Sequence, residues 1–291
     1  MLNKTLVNGV FVAFHFSGDS CADRVEFMEI SDMPANPFSS DAQSGKIAVV
    51  SGASSGIGRA TATLMRATGW TVYGVARRAD HLNDLAKQTG VIPCPLDITD
   101  ADAVQQRTEK ILQETGGVVN ALVNISGGAR GADTVADANP AGWRTMFEVN
   151  VLGTLNMTRA FLPALRACGE GTVLNLTSTA AEHGYEGGAG YNAAKFGERG
   201  MTEALRLEEA ENNIRVIEVS PGMVHTEEFS LNRLGSPEAA EKVYAGVEKP
   251  LTAQDVAQTV TFALNISHHI DLDRITMRPV AQASQFKVIR K

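Results

Sequence analysis

The sequence predicts an α/β fold, a single domain built on a doubly wound parallel sheet. Three observations carry this expectation. Short apolar runs alternate with helical patterns of about 10–20 residues, the signature of βαβ units rather than of hairpins. A glycine-rich turn separates the first strand from the first helix. The chain also has 291 residues with 44% apolar content, enough for one large core without demanding a second domain.

From Lys46 onward the elements follow in order. Residues 47–51 read as the first strand, followed by the turn and a helix over 59–68. Residues 71–76 form the second strand and 80–89 a polar helix. The third strand spans 91–96, and Thr99 is placed to cap a helix over 100–114. Residues 121–124 are a strand, and 140–167 hold one long helix or two. Strand 172–177, helix 191–211 and strand 215–220 continue the alternation. Past a loop come helix 253–265 and a last strand at 274–277. Crossover helices on both sides of parallel strands bury both faces of the sheet.

Residues 1–44 differ from this body. They carry Lys4 and Arg24 against Asp19, Asp23, Glu26, Glu29, Asp32 and Asp41, and end in a Pro/Ser-rich run over 33–44. Two bases and six acids give −4, so residues 45–291 carry −3 of the total −7. The segment reads as an N-terminal extension, either disordered or reflecting a start codon placed too early, since Met28 and Met33 are also available. Its longest apolar stretch, 6–16, is interrupted by Asn8, Gly9 and His15. That is too short for a membrane span and lacks the flanks of a signal peptide. The acidic balance argues against nucleic acid or an anionic membrane as partner. Cys21, Cys94 and Cys168 form no CxxC pair, which reads as reduced thiols in a cytoplasmic protein. The six histidines form no HxxxH or HxH pair, so no metal site is expected.

The glycine-rich turn is Ser51-Gly52-Ala53-Ser54-Ser55-Gly56-Ile57-Gly58. Glycines at 52, 56 and 58 let the turn tighten, admit a pyrophosphate and let the helix pack on the sheet, while the helix N-terminus points its N–H groups at the phosphates. This is a Rossmann-type dinucleotide site, because the turn follows the first strand and opens a helix. At the end of the second strand stand Arg77 and Arg78, where a protein selective for NAD places an acidic residue on the ribose 2′-OH. Guanidinium forks suit a phosphate instead, which points to NADP(H) as cofactor. Asp97, after the third strand, is placed to meet the adenine amino group or to cap the helix that follows.

Tyr191-Asn192-Ala193-Ala194-Lys195 carries the chemistry, with Ser178 at the end of a strand thirteen residues earlier. On a helix, positions i and i+4 share a face, so the phenol and the ammonium are neighbours. A phenol titrates near 10 when unperturbed, and a fixed cation beside it lowers that value. Ser178 is placed to hydrogen-bond a substrate oxygen and fix its distance to the tyrosine.

These residues together resemble the short-chain dehydrogenase/reductase family over 46–280. The resemblance implies a catalytic tetrad of Asn150, Ser178, Tyr191 and Lys195. In it Tyr191 is the general acid/base and Lys195 lowers its pKa and binds the nicotinamide ribose. Ser178 positions the substrate, and Asn150 holds a water in a proton relay. It places cofactor contacts on Gly52, Ser54, Ser55, Gly56, Ile57, Gly58, Asp97, Ile98, Asn124 and Gly127, and on the stretch Pro221-Gly222-Met223-Val224-His225-Thr226. Val224 and Thr226 there would secure the carboxamide. One departure stands out. The family's Asn-Asn-Ala-Gly reads Asn124-Ile125-Ser126-Gly127 here, so the role of the second asparagine does not pass to Ile125.

The closing stretches 251–256 and 274–280, and the loop residues Glu227, Glu228, Phe229, Ser230 and Arg233, are most similar to NADP-dependent 3-hydroxy acid (serine-type) dehydrogenases and sulfoacetaldehyde reductases. That likeness implies an oxidoreductase acting on a small polar alcohol or carbonyl, and a homo-oligomer, tetramer or dimer. Arg130, Tyr185 and Arg233 are the candidates to meet an anionic substrate, with His183 and His225 near the same mouth. Trp70 and Trp143 read as packing residues. A cofactor-sensing regulator without turnover is the alternative, disfavoured because all four tetrad positions are filled. An epimerase or dehydratase would need a larger C-terminal lobe than the 96 residues (291 less 195) after Lys195.

Overall fold

Strand β1 (Ile47–Ser51) shows why the sheet lies in the middle of the domain. Ala48 and Val50 pack into one apolar core and Val49 into another, so the period-2 alternation of a strand feeds two cores of similar chemistry. The computed structural model describes residues 44–291; residues 1–43 of the N-terminal extension, with the stretch 6–16 and Cys21, lie outside the described residues.

The chain proceeds through α1 (Gly56–Ala67), β2 (Thr71–Ala76), α2 (Ala79–Thr89), β3 (Ile92–Pro95), α3 (Ala101–Glu114), β4 (Ala121–Asn124), α4 (Pro140–Phe147), α5 (Gly153–Ala167), β5 (Thr172–Leu176), α6 (Ala189–Glu209) and β6 (Arg215–Pro221). It ends with β7 (Val224–His225), α7 (Phe229–Leu234), α8 (Pro237–Tyr244), β8 (Leu251–Thr252), α9 (Ala253–Asn265) and β9 (Arg274–Met277). Seven strands pair in the order β3-β2-β1-β4-β5-β6-β9, every pair parallel. The order reverses between β1 and β4, and the crevice beyond their carboxyl ends is where ligands bind in such sheets.

One face carries α1 and α9 against Val50, Val72, Ile217 and Val219, and the other carries α3 and α5 against Val49, Val75, Leu122 and Val216. Helix α9 begins with a capping box, Thr252 and Asp255 each accepting from the other's backbone N–H. Its last carbonyls are taken by the buried Arg215, whose guanidinium donates to Leu264 and Ile266, while Asn265 accepts from the Trp70 indole.

Most predicted strands and helices stand within two or three residues of their expected bounds, and the differences have local causes. Helix α1 starts three residues early because the Arg59 N–H already donates to the Ser55 carbonyl, so the glycine turn supplies the first helical turn. Asp100, not Thr99, caps α3, accepting from the Ala103 N–H. The 140–167 segment is one continuous helical run, but Glu148–Leu152 widens into a π turn between α4 and α5. The loop after β6 is not structureless: it holds α7, α8 and the small β7–β8 pair. Among the described residues no helix is long and apolar enough to cross a membrane.

Candidate active site

A cleft of about 430 Å³ opens at the carboxyl ends of β1, β4, β5 and β6. That lies within the range of cofactor pockets, roughly 300–1,000 Å³. One end is built by the glycine turn. Gly58 lies so close to the turn that a Cβ there would meet the Gly52 carbonyl oxygen at 2.2 Å, which no side chain tolerates. Ser55 precedes α1 without a side-chain cap on its N-terminus, which leaves first-turn N–H groups facing the cleft. A twelve-residue helix with an uncapped N-terminus over a glycine turn fits a pyrophosphate.

Ser54, Ser55, Gly56, Ile57, Arg77, Arg78, Asp97 and Ile98 line this end, as the sequence indicates. Arg77 is exposed at the rim. Arg78 donates to Ser54 Oγ at 2.9 Å and Ser55 Oγ at 2.8 Å, and to both carboxylate oxygens of Glu228 at 2.6 and 2.9 Å. Glu228 also accepts from the Ser55 hydroxyl at 2.8 Å. Hydrogen bonding to Arg78 is the main reason the Glu228 carboxyl sits below its ordinary value. The sequence reading assigned Glu228 no place in the site. Its acidity four residues before an Asn232 that also lines the cleft gave no periodic signal. Asp97 turns its oxygen back to the Thr99 N–H and hydroxyl, closing its own turn rather than capping α3.

At the other end Ser178, Tyr191 and Lys195 converge. Ser178 stands two residues past β5 and caps the short turn that follows by accepting from the Ala180 N–H at 3.1 Å. Tyr191 and Lys195 lie one turn apart on α6, the ammonium 6.0 Å from the phenol ring centre. Burial pushes the Tyr191 phenol above its ordinary value, with Lys195 and a hydrogen bond to Ser178 pulling the other way. The lysine acts on the phenol in the direction expected from the sequence, but burial outweighs it and the net shift is upward. Lys195 is itself opposed by burial, yet Glu198 and neighbouring groups hold it charged, above its ordinary value. Its N–H groups donate to the Leu176 carbonyl at 2.9 Å and to Glu198 at 2.6 Å. Glu198 was missed in the sequence although its i+3 spacing from Lys195 marks it.

Asn150 stands behind the cleft in the π turn. Its amide donates to the Met146 and Gly128 carbonyls and accepts from the Gly128 N–H, all within 3.1 Å. The π turn withdraws the usual i+4 N–H from Met146, and the Asn150 side chain takes its place. Gly127 lies against this amide: a Cβ there would stand 2.6 Å from Asn150 Oδ1 and 3.4 Å from Lys195 Nζ. Asn124 does not reach the cleft; it is buried, donating to Thr158 and Asn175. The Ile125 departure is absorbed locally. The N–H groups of Ile125 and Ser126 both donate to Ser51 Oγ at 3.0 Å, and the Ile125 side chain packs on the core beside α1.

Pro221, Val224 and Thr226 line the cleft, while Gly222 backs onto Gln282. Of the substrate candidates only Arg130 lines it, its guanidinium donating to the Asn232 carbonyl at 3.1 Å. Arg233 is turned away and spent on structure, donating to Tyr185 Oη, Gly131 O and Gly187 O. Tyr185 is its partner and lies outside the cleft lining, as do His183 and His225. Trp70 is buried as expected, whereas Trp143 lines a second recess of about 80 Å³ beside Tyr191. Among the described residues no group of histidine, cysteine or carboxylate side chains could hold a metal ion.

Comparison with known proteins agrees with this geometry. The short chain dehydrogenase family model matches residues 46–233. An uncharacterised oxidoreductase of Mycobacterium tuberculosis is 45% identical over 240 residues, 82% of this chain and 93% of that protein. The NADP-dependent 3-hydroxy acid dehydrogenase of Schizosaccharomyces pombe is 35% identical over 255 residues, 85% of this chain and 97% of its own. Among solved structures, the closed form of serine dehydrogenase complexed with NADP+ superposes with a TM-score of 0.79 at 29% identity, covering 84% of this chain and 99% of that one. With its parallel sheet, its glycine turn over a helix N-terminus and its Tyr–Lys pair in the cleft, the chain belongs to the short-chain dehydrogenases, a family of nicotinamide-dependent oxidoreductases.

Proposed function

We propose that the protein moves a hydride between NADP(H) and a small polar alcohol or carbonyl compound, such as a 3-hydroxy acid or a small aldehyde, with Tyr191 as general acid/base. The observation that carries this reading is the convergence of Ser178, Tyr191 and Lys195 on one end of a cleft whose other end is a phosphate-type turn flanked by Arg77 and Arg78. A nicotinamide bound there supplies or accepts the hydride, chemistry that belongs to the cofactor. Ser178 and Tyr191 hold the substrate oxygen, and Tyr191 gives it a proton during reduction and takes one during oxidation. Lys195 stands behind Tyr191 as a fixed charge, and Asn150 keeps the Gly128 backbone in register beside it. The wall left for substrate is small and mixed in character: Ala129, Val149 and Phe229 with Arg130 and Asn232. It suits a compact, polar and, at Arg130, anionic molecule. The likeness of its sequence also leads us to read the protein as a homo-oligomer; Phe147, Phe196 and Leu207 are exposed on α4 and α6.

The direct test is a panel of 3-hydroxy acids, small aldehydes and sulfonated aldehydes assayed for oxidation or formation of NADPH. Turnover of at least one class is expected. Tight NADPH binding with no turnover anywhere on the panel would favour a sensor instead.

Cofactor choice has its own expected result. NADPH should bind at least about tenfold more tightly than NADH, and Arg78→Ala should remove most of that difference. A charged hydrogen bond to phosphate contributes roughly 1.5–3 kcal/mol. The lower end applies here, because Arg78 must first give up Glu228. Fluorescence titration of both reduced cofactors measures it, and equal affinities in the unaltered protein remove the case for the two arginines.

A further inference from the structure

Behind the cleft, Lys195 meets a buried carboxylate that the proposed chemistry does not use. Lys195 and Glu198 form an ion pair at 2.6 Å with side chains only 4% and 1% exposed. Glu198 does not line the cleft, and its second oxygen accepts from Thr154 Oγ1 on α5 at 3.4 Å. A second carboxylate, Glu218 on β6, also acts on Lys195 and accepts from Thr177 Oγ1 at 2.6 Å. The titratable groups that act most on Tyr191 and Lys195, besides each other, are Glu198 on the same helix, Glu218 on β6 and Tyr185 in the turn before α6.

Burying two ions is costly unless their geometry is good, and two apolar side chains of the same volume would serve packing as well or better. If the lysine's task were only to draw the phenol toward phenolate, a carboxylate bonded to it would work against that task. Leu176 already supplies a neutral acceptor that orients the ammonium. Burial pushes the Glu198 carboxyl above its ordinary value and Lys195 pulls it back; ionised against the ammonium, it adds what a neutral residue could not, a negative charge in contact with the cation.

We propose that Glu198 is a positioning residue that offsets the Lys195 charge, so that Tyr191 stays a proton donor at neutral pH and the site is poised for carbonyl reduction. This rests on the acid/base reading of Tyr191. The sign follows from electrostatics. A lone cation within a few ångströms favours phenolate, and a counter-charge held against that cation weakens the effect. The free protein then keeps its phenol protonated well past neutrality. Reduction, which needs the phenol, holds its rate to high pH, and oxidation, which needs the phenolate, rises only in alkali.

Glu198→Gln tests this, because it keeps the volume and an acceptor for Lys195 but removes the charge, while the Leu176 carbonyl remains to orient the ammonium. Tyr191 ionisation is read without substrate or cofactor, as the ultraviolet absorbance difference between each protein and its Tyr191→Phe counterpart during a pH titration. In Glu198→Gln the midpoint should fall by about one unit or more, the size of shift an unopposed neighbouring cation produces. The pH profile of alcohol oxidation should move down with it, and Glu198→Asp, which keeps the charge, should titrate close to the unaltered protein. A Glu198→Gln midpoint equal to or above that of the unaltered protein overturns the proposal. Should Glu198→Gln fail to fold, the unaltered protein still decides. A Tyr191 midpoint well below the ordinary value near 10 overturns it, because that is the mark of an unopposed cation. A normal turnover rate in Tyr191→Phe would instead sink the acid/base reading and leave the titration result standing.

Discussion

Replacing Tyr191 by phenylalanine should lower turnover by roughly 10²–10⁴-fold, the contribution of a positioned proton donor, while NADPH binding stays near its original value. The substitution removes only the hydroxyl. The ring keeps its place in the small core under the cleft, with Met146, Val151 and Ala194, and its edge contact with Phe229 at 5.8 Å between centres. Folding should therefore be little disturbed, and the loss should appear in kcat rather than in thermal stability. Steady-state rates beside a cofactor titration separate the two. A variant with near-normal rate means that another group moves the proton.

Lys195→Met should do more. It removes the cation beside the phenol and leaves Glu198 buried without its partner, and breaking a buried pair from one side costs about 3–5 kcal/mol. For a domain of this size that corresponds to a melting temperature lower by roughly 6–20 °C. The double variant Lys195→Met with Glu198→Gln should recover much of that stability and none of the activity. Thermal unfolding of the three proteins checks it. If the single and double variants melt together, the pair contributes no coupling and the buried charges are held by other groups.

The sheet was legible because its signals are local. The apolar alternation of β1 and the turn Gly52 to Gly58 are written in consecutive residues, and β1, β2, β4, α9 and β9 stand within their expected bounds. The Tyr191–Lys195 pair was legible because helical spacing alone puts both on one face. What escaped depends on contacts between distant segments. Glu228 meets Arg78 across 150 positions, and nothing beside it in the sequence marks that partner. Arg233 was expected to face a substrate, yet each of its three guanidinium nitrogens donates to Gly131, Tyr185 or Gly187, carbonyls and a hydroxyl that only the folded loops bring together. The sign of the Tyr191 shift was missed for a related reason. A neighbouring charge can be read from spacing, but depth of burial cannot.

The contact of Glu228 with Arg78 has a consequence for how the cleft admits a molecule as large as a dinucleotide. It ties the segment after β6 to the phosphate end of the site, yet the paired side chains keep 40% and 31% of their surface in water. Ion pairs so hydrated contribute up to about 1 kcal/mol, which corresponds to a closed-to-open ratio of only about five. A phosphate that replaces the carboxylate exchanges one anionic partner of Arg78 for another. Raising the salt concentration loosens the tether further, because exposed charges are the first to be screened.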